Sequence, residues 1–276
     1  MIVKKFGIIG KPLSHSLSPL LHNFWFKKYE ISANYSLIEI ETNQIEGIIK
    51  KIRNHELKGI NVTVPYKQAV IPFLDSITGD AKETLSVNTI SLNDEGKVVG
   101  NNTDVFGLEK GFLDKLSNQN LESKKVLILG AGGVTPSVIY ALRKKNIKNI
   151  SISNRTIKKA EDFQKRFPFI KIVKWEKIES EGETMDIIIN ATSLGLKDGN
   201  DFKQEFNVIK SNLVYFDIVY NPMETAMLKK FKKKYIKAFN GLEMFIYQGQ
   251  KSFSLWNKIN PDLDEELRHK IIKKLK

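Results

Sequence analysis

Short apolar runs alternate with helical periodicity along almost the whole chain. Residues 5–10 (KFGIIG) read as a strand and 18–30 as a helix, with Ser18 as N-cap and Pro19 at the first position, where a missing N–H is harmless. A strand over 34–40, a helix over 44–54 and a strand over 59–64 follow, and a further helix is expected to start near Pro65. Residues 87–92 and 97–104 flank Asn-Asp-Glu-Gly, a hairpin-turn composition. A helix is expected after Asp104, then a strand, a glycine loop and a helix over 124–146. Residues 149–154, 186–193 and 213–220 read as buried strands, 229–237 as a helix end and the entry to a strand, and the chain from Leu242 on as helical. This alternation predicts parallel βαβ units and an α/β fold. The texture changes near Asp104, which marks a boundary between two domains, and the C-terminal helices are expected to pack back on the first half.

Composition narrows the function classes. The 276 residues contain no cysteine, so disulfides and thiolate metal sites are excluded. The N-terminal stretch carries lysines inside its apolar part and does not read as a signal peptide. No apolar run reaches the roughly 20 residues of a membrane helix, and a soluble cytoplasmic protein is expected. The net charge of +13 invites a nucleic-acid reading, but only Arg53, Arg143, Arg155, Arg166 and Arg268 are arginine. Groove readers and phosphate clamps favour arginine forks. Lysine here accompanies abundant Ile and Asn, which share AT-rich codons, so compositional bias explains the charge better than a nucleic-acid partner. The lysine run at 229–237 is read as a solvated face. His15 and His22 straddle a loop and a helix with no nearby carboxylate to complete a zinc set, so no metal is expected.

The run LILGAGGVTPS follows a buried strand and opens a helix, the context that a dinucleotide fingerprint requires. Gly130 permits the tight turn, and Gly132 lets the backbone approach a pyrophosphate favoured by the helix N-terminus. Thr135 replaces the third glycine of the G-x-G-x-x-G pattern, and Pro136 suits the first helical turn. NAD-binding folds place an acid about 20 residues on, for the ribose hydroxyls. Here the next strand ends in Asn154 and Arg155. A carboxylate repels a 2′-phosphate and a guanidinium grips it, so NADP(H) is the expected cofactor, with Thr156 and Lys159 available for further contacts.

The first half supplies polar groups near turns and strand ends: Ser16 and Ser18; Asn61, Thr63 and Lys67; Asn88; Asn102 and Asp104. Ligands of open parallel sheets bind beyond the carboxyl ends of strands. If these ends converge, the pocket suits a small polyhydroxylated acid. Lys67 is the only lysine in the cluster, able to donate a proton to an oxygen that gains charge during hydride attack.

Read together and in order, these motifs resemble shikimate dehydrogenase. The resemblance covers nearly the whole chain: the serine motif at 14–19, NVTVPYK at 61–67, VNT at 87–89, NTD at 102–104, GAGG at 130–133, NRT at 154–156, NATSLG at 190–195, DIVYNP at 217–222 and the region of Gln248. It implies two α/β domains with an active-site cleft between them. Residues 1–104 with 241–276 would form the substrate domain around a mainly parallel sheet, and 105–240 a Rossmann-type NADP-binding domain. It implies NADPH-dependent, reversible reduction of 3-dehydroshikimate to shikimate in aromatic amino-acid biosynthesis. Lys67 and Asp104 would be the catalytic pair. Ser16 and Ser18 would bind the substrate carboxylate with Tyr220 near it, and Thr63, Asn88, Asn102 and Gln248 would hold the hydroxyls or line the pocket. The cofactor would lie along Gly130, Ala131, Gly132, Gly133, Val134, Asn154, Ala191, Thr192, Ser193, Ile218 and Gly241, with Arg155, Thr156 and Lys159 meeting its 2′-phosphate. A monomer or homodimer is expected. Val105, Glu243 and Gln250 depart from the family pattern and bear on loop shape and closure, without removing a proposed functional group. A quinate/shikimate dehydrogenase of broader range, and a nucleic-acid-binding or regulatory module that has kept the fold, are the competing readings.

Overall fold

The computed structural model describes residues 3–197 and 199–275. They form two compact units, one holding the chain through Gly107 and again Ile246–Lys274, the other Leu108–Phe245. Both are α/β, and their sheets are mainly parallel.

In the first unit β1 (Lys4–Gly10) leads to α1 (Ser18–Lys28) and β2 (Ala33–Glu39), then to α2 (Ile45–Arg53) and β3 (Gly59–Val62). After β3 come β4 (Ser76–Ile77), α3 (Gly79–Thr84), β5 (Thr89–Leu92), β6 (Val98–Asn101) and α4 (Asp104–Gly111). The sheet order is β2-β1-β3-β5-β6-β4. β1 pairs parallel with both β2 and β3, whereas β5 is antiparallel to β3 and β6. Apolar spacing explains α2: Ile45, Ile48, Ile49 and Ile52 recur at helical intervals, all are buried, and they share a core with Ile60, Val62, Ile90 and Val98. Each such side chain contributes about 1.5–3 kcal/mol on burial, which holds α2 against the sheet that carries the polar strand ends.

Three local expectations fail here. Leu17, not Ser18, occupies the N-cap position of α1; Ser18 is the first helical residue, and its N–H donates to Ser16 Oγ at 3.3 Å. No α-helix starts near Pro65. The Lys67 carbonyl accepts from Val87 N–H at 2.8 Å, which takes it out of any helical ladder, and the chain runs through turns to a short 3₁₀ segment at Ile71–Phe73. The hairpin forms, but β5 begins only at Thr89, and the backbone of Asn88 just before it bonds both Val62 and Asn101.

The second unit comprises β7 (Lys125–Leu129), α5 (Thr135–Lys144), β8 (Asn149–Ser153), α6 (Ile157–Arg166), β9 (Lys171–Val173), α7 (Ile178–Gly182), β10 (Ile187–Asn190), β11 (Val214–Asp217), α8 (Ala226–Lys233) and β12 (Lys237–Phe239). Every strand pair is parallel, in the order β12-β11-β10-β7-β8-β9. Counted within the unit, that is the 3-2-1-4-5-6 order of dinucleotide-binding folds, with the reversal between β7 and β10. α8 buries Met227, Leu228 and Phe231, and the lysines between them point outward. Lys230 pairs with Glu205 and Lys232 with Glu224, surface contacts of small worth.

The chain returns to the first unit within α9 (Leu242–Asn257) and ends with α10 (Glu265–Leu275). The helical tail is therefore two helices, separated by Lys258 in the left-handed region (φ 58°) and a segment containing Pro261. Gln250 accounts for its own departure from the family pattern: its amide donates to the Pro261 carbonyl at 2.7 Å and pins that segment. Val105 is fully buried. No helix among the described residues is long and apolar enough to cross a membrane.

Candidate active site

Lys67 and Asp104 meet in the first unit. The Lys67 ammonium donates to Asp104 Oδ2 at 2.6 Å, with the two side chains only 12% and 9% exposed. The turn after β3 positions the lysine through its backbone, and the aspartate is itself the first residue of α4. Asp104 Oδ1 accepts from Asn88 Nδ2 at 2.9 Å, and its N–H donates to Asn102 Oδ1 at 3.0 Å. Asn102 in turn donates to Thr84 Oγ1 at 2.8 Å, which anchors the loop to α3.

Asn88 has one orientation consistent with its partners. The Thr103 N–H is an obligate donor and reaches Asn88 Oδ1 at 2.7 Å, so the amide nitrogen must face the carboxylate. Behind it lies a buried polar cluster of Asn61, Thr89, Thr103 and Ser252. Tyr35 Oη donates to Asn61 Oδ1 at 2.7 Å. Burial pushes the Tyr35 phenol well up, against a smaller opposing interaction with Ser18. The structure thus links Lys67, Asp104, Asn88 and Asn102 directly. The backbone carbonyl of Gln248 accepts from Ser252 Oγ at 3.0 Å, one turn apart on the same helix. Thr63 sits against Gly10, where a Cβ would lie 2.4 Å from its methyl group. Tyr220 belongs to the second unit, where its ring stacks on Phe245 at 4.7 Å.

The glycine loop follows β7, at the point where the strand order reverses. Gly130 has φ 111°, and a Cβ there would lie 2.8 Å from the Ala191 carbonyl oxygen. Only glycine fits that approach without strain. Gly132 is exposed, and its nearest neighbour would be 3.9 Å from a Cβ. Thr135 replaces the third glycine with a tie: its hydroxyl accepts from Gly132 N–H at 3.0 Å and donates to the Gly130 carbonyl at 3.0 Å. Asn154 Oδ1 accepts from Ala131 N–H at 3.0 Å. Arg155, Thr156 and Lys159 are exposed together at the start of α6. Among the described residues the Arg155 guanidinium has no ion pair or hydrogen bond. A glycine loop at a helix start, cations beyond β8 and no acid at its end fit a phosphorylated dinucleotide.

One buried acid escaped the sequence reading. Asp217 Oδ1 accepts from Asn190 Nδ2 at 2.9 Å and Val219 N–H at 3.0 Å; Oδ2 accepts from Thr225 at 2.8 Å and Tyr215 at 3.1 Å. Burial pushes its carboxyl up to about 6, against these four hydrogen bonds. Asn190 then orders the next segment, its Oδ1 accepting from the N–H and hydroxyl of Thr192, and so fixes the strand end that bears Ala191, Thr192 and Ser193. Ile218 meets Gly241, where a Cβ would fall 1.9 Å from the Ile218 carbonyl oxygen. A lone carboxylate inside the apolar run LVYFDIVY was the available signal for Asp217. Ser252 and Thr103 offered none, because a hydroxyl in a helix or turn looks alike whether solvated or buried.

Comparison with known proteins agrees with this geometry. The family model for the shikimate dehydrogenase substrate binding domain matches residues 8–90, and that for shikimate / quinate 5-dehydrogenase matches residues 113–226. A shikimate dehydrogenase (NADP(+)) from Pelagibacter ubique is 46% identical over 265 residues, covering 95% of this chain and 97% of the relative. The crystal structure of a shikimate dehydrogenase in complex with NADP+ has a TM-score of 0.89 at 33% identity, covering 99% of this chain and 96% of that one. Shikimate 5-dehydrogenase from Thermus thermophilus, in complex with NADP(H) and shikimate, has a TM-score of 0.83 at 29% identity, with 99% and 100% coverage. On these matches to both halves, at such identity and coverage, the chain belongs to the shikimate dehydrogenase family.

Proposed function

We propose that this chain is an NADP-dependent shikimate dehydrogenase, reversibly reducing 3-dehydroshikimate to shikimate on the route to chorismate and the aromatic amino acids. The buried Lys67–Asp104 pair carries the reading, because it sets a proton donor beside a hydrogen-bond acceptor within a cluster of amides and hydroxyls. Lys67 donates its proton to the carbonyl oxygen as that oxygen gains negative charge, a general-acid contribution of about 10²–10⁴-fold. Asp104 orients the ammonium and accepts a substrate hydroxyl. Ser16 and Ser18 hold the substrate carboxylate with Tyr220, and Thr63, Asn88, Asn102 and Gln248 hold or surround the hydroxyls. NADPH supplies the hydride when bound. Gly130, Ala131, Gly132, Gly133 and Val134 would cradle its pyrophosphate, Asn154, Arg155, Thr156 and Lys159 its 2′-phosphate end, and Ala191, Thr192, Ser193, Ile218 and Gly241 the remainder. Residues 1–104 with 241–276 take the substrate, and 105–240 the cofactor. The protein acts in the cytoplasm as a monomer or homodimer, with no nucleic-acid partner.

An assay of the purified protein with shikimate and quinate, each against NADP and NAD, tests the reading. Shikimate oxidation with NADP is the expected result. Failure to oxidise shikimate with either cofactor overturns it, and quinate oxidation at a similar rate replaces it with the broader enzyme. Arg155→Ala is expected to raise the KM for NADP about 10–100-fold, the size of a charge-assisted hydrogen-bond loss. The KM for NAD should stay within about 2-fold. An equal change for both cofactors removes the 2′-phosphate assignment.

A further inference from the structure

We propose that Ser252 is a positioning residue for the reaction, holding Asn88 and through it Asp104 by way of Thr89 and Thr103; this rests on the assignment of Lys67 and Asp104 above. Ser252 lies on α9 and is fully buried. Its hydroxyl has four polar neighbours: Asn61 Nδ2 at 3.0 Å, Thr89 Oγ1 at 2.8 Å, Thr103 Oγ1 at 3.1 Å and the Gln248 carbonyl at 3.0 Å. A hydroxyl has one proton and two lone pairs, so three of these contacts satisfy it at any moment.

The directions are largely fixed. Asn61 can only donate from Nδ2, and the Gln248 carbonyl can only accept. If Ser252 donates to that carbonyl, one lone pair takes Asn61 and the other takes a threonine hydroxyl. Thr103 Oγ1 accepts from Asn88 Nδ2 at 3.0 Å, and Thr89 Oγ1 lies 3.1 Å from Asn88 Oδ1. Each threonine therefore touches both Ser252 and the Asn88 amide that bonds Asp104. Gln248 sits one turn before Ser252 on the same helix. One buried hydroxyl thus joins the helix that carries Gln248 to the two turns that carry Asn88 and Asp104. Without it, a threonine loses an acceptor in a buried cluster, Asn61 Nδ2 falls back on the Asn88 carbonyl and Thr89 Oγ1, and the threonines compete for Asn88 Oδ1, the atom that sets the amide's orientation.

Ser252→Ala is expected to lower kcat about 10-fold, the scale of one buried hydrogen bond. The KM for NADP should stay within about 2-fold and the folded fraction, by circular dichroism, unchanged. Ser252→Thr, which keeps the hydroxyl, should recover most of the rate. A kcat within 2-fold of wild type overturns the proposal, as does a loss that only tracks the folded fraction. If Ser252→Ala does not fold, Thr89→Val, which removes a hydroxyl at nearly constant volume, reads the same coupling against the same thresholds. Wild-type protein inactive on shikimate would instead overturn the functional reading itself, and that control is run first.

Discussion

Lys67→Ala is expected to lower the turnover of shikimate by about 10²–10⁴-fold, the range of a lost general acid, while the shikimate KM changes far less. The substitution has a second consequence that must be separated from the first. Asp104 is 9% exposed and loses its cation. Breaking a buried pair from one side costs about 3–5 kcal/mol, because the remaining charge is left unpaired. Lys67→Ala should therefore melt earlier as well as turn over slowly. Lys67→Met keeps most of the stem volume, and the double variant Lys67→Met with Asp104→Asn removes the orphaned charge. The double variant should regain most of the lost stability and none of the lost rate. Steady-state kinetics and thermal melts on all three variants check this, and wild-type turnover in any folded Lys67 variant would contradict the assignment.

The second large effect is on acid stability. His22 is fully buried, stacked on Tyr35 at 4.5 Å and surrounded by Trp25, Phe253 and Trp256. Neither ring nitrogen has a hydrogen-bond partner of good geometry among the described residues. Burial pushes its pKa down from 6.5 to about 3, the nearby Asn61 side chain offsetting a little of that. The fold thus holds the neutral ring, and the unfolded chain protonates first. The contribution is fully present above about pH 6.5 and is lost as pH falls toward 3. At 1.36 kcal/mol per unit, the depression corresponds to about 5 kcal/mol. His22→Phe should abolish this slope. At pH 7 it should be as stable as wild type or more so, because it removes two polar atoms that the core leaves unsatisfied. Urea midpoints of both proteins at pH 7, 5.5 and 4.5 provide the check. Carboxylate titrations act on both proteins alike, so the difference isolates the histidine, and parallel pH profiles would refute the account.

Much of this was legible in the chain. β7, the glycine loop and α5 were visible because a buried apolar strand, two glycines and a proline each leave a local mark. The Lys67 and Asp104 positions were visible as polar residues at turns and strand ends. What stayed hidden depends on partners distant in sequence. The turn after Pro65 replaces a helix because Val87 claims the Lys67 carbonyl, a contact across 20 residues that periodicity cannot report. Asn61 was read as a polar group facing a pocket, yet its amide bonds Ser252, 191 positions away. Thr135 looked like a defect in the fingerprint, yet its hydroxyl ties the loop from within.

The passage of the chain out through α4 and back through α9 has a consequence for synthesis. The dinucleotide half is continuous in sequence and can assemble as soon as it leaves the ribosome. The half bearing Lys67 cannot be finished until α9 emerges, because Trp256 then fills the space above Gly59 and bonds the Ile90 carbonyl. A nascent chain arrested before that helix would leave one face of β3 and β5 uncovered, an apolar surface open to aggregation and a natural target for chaperones.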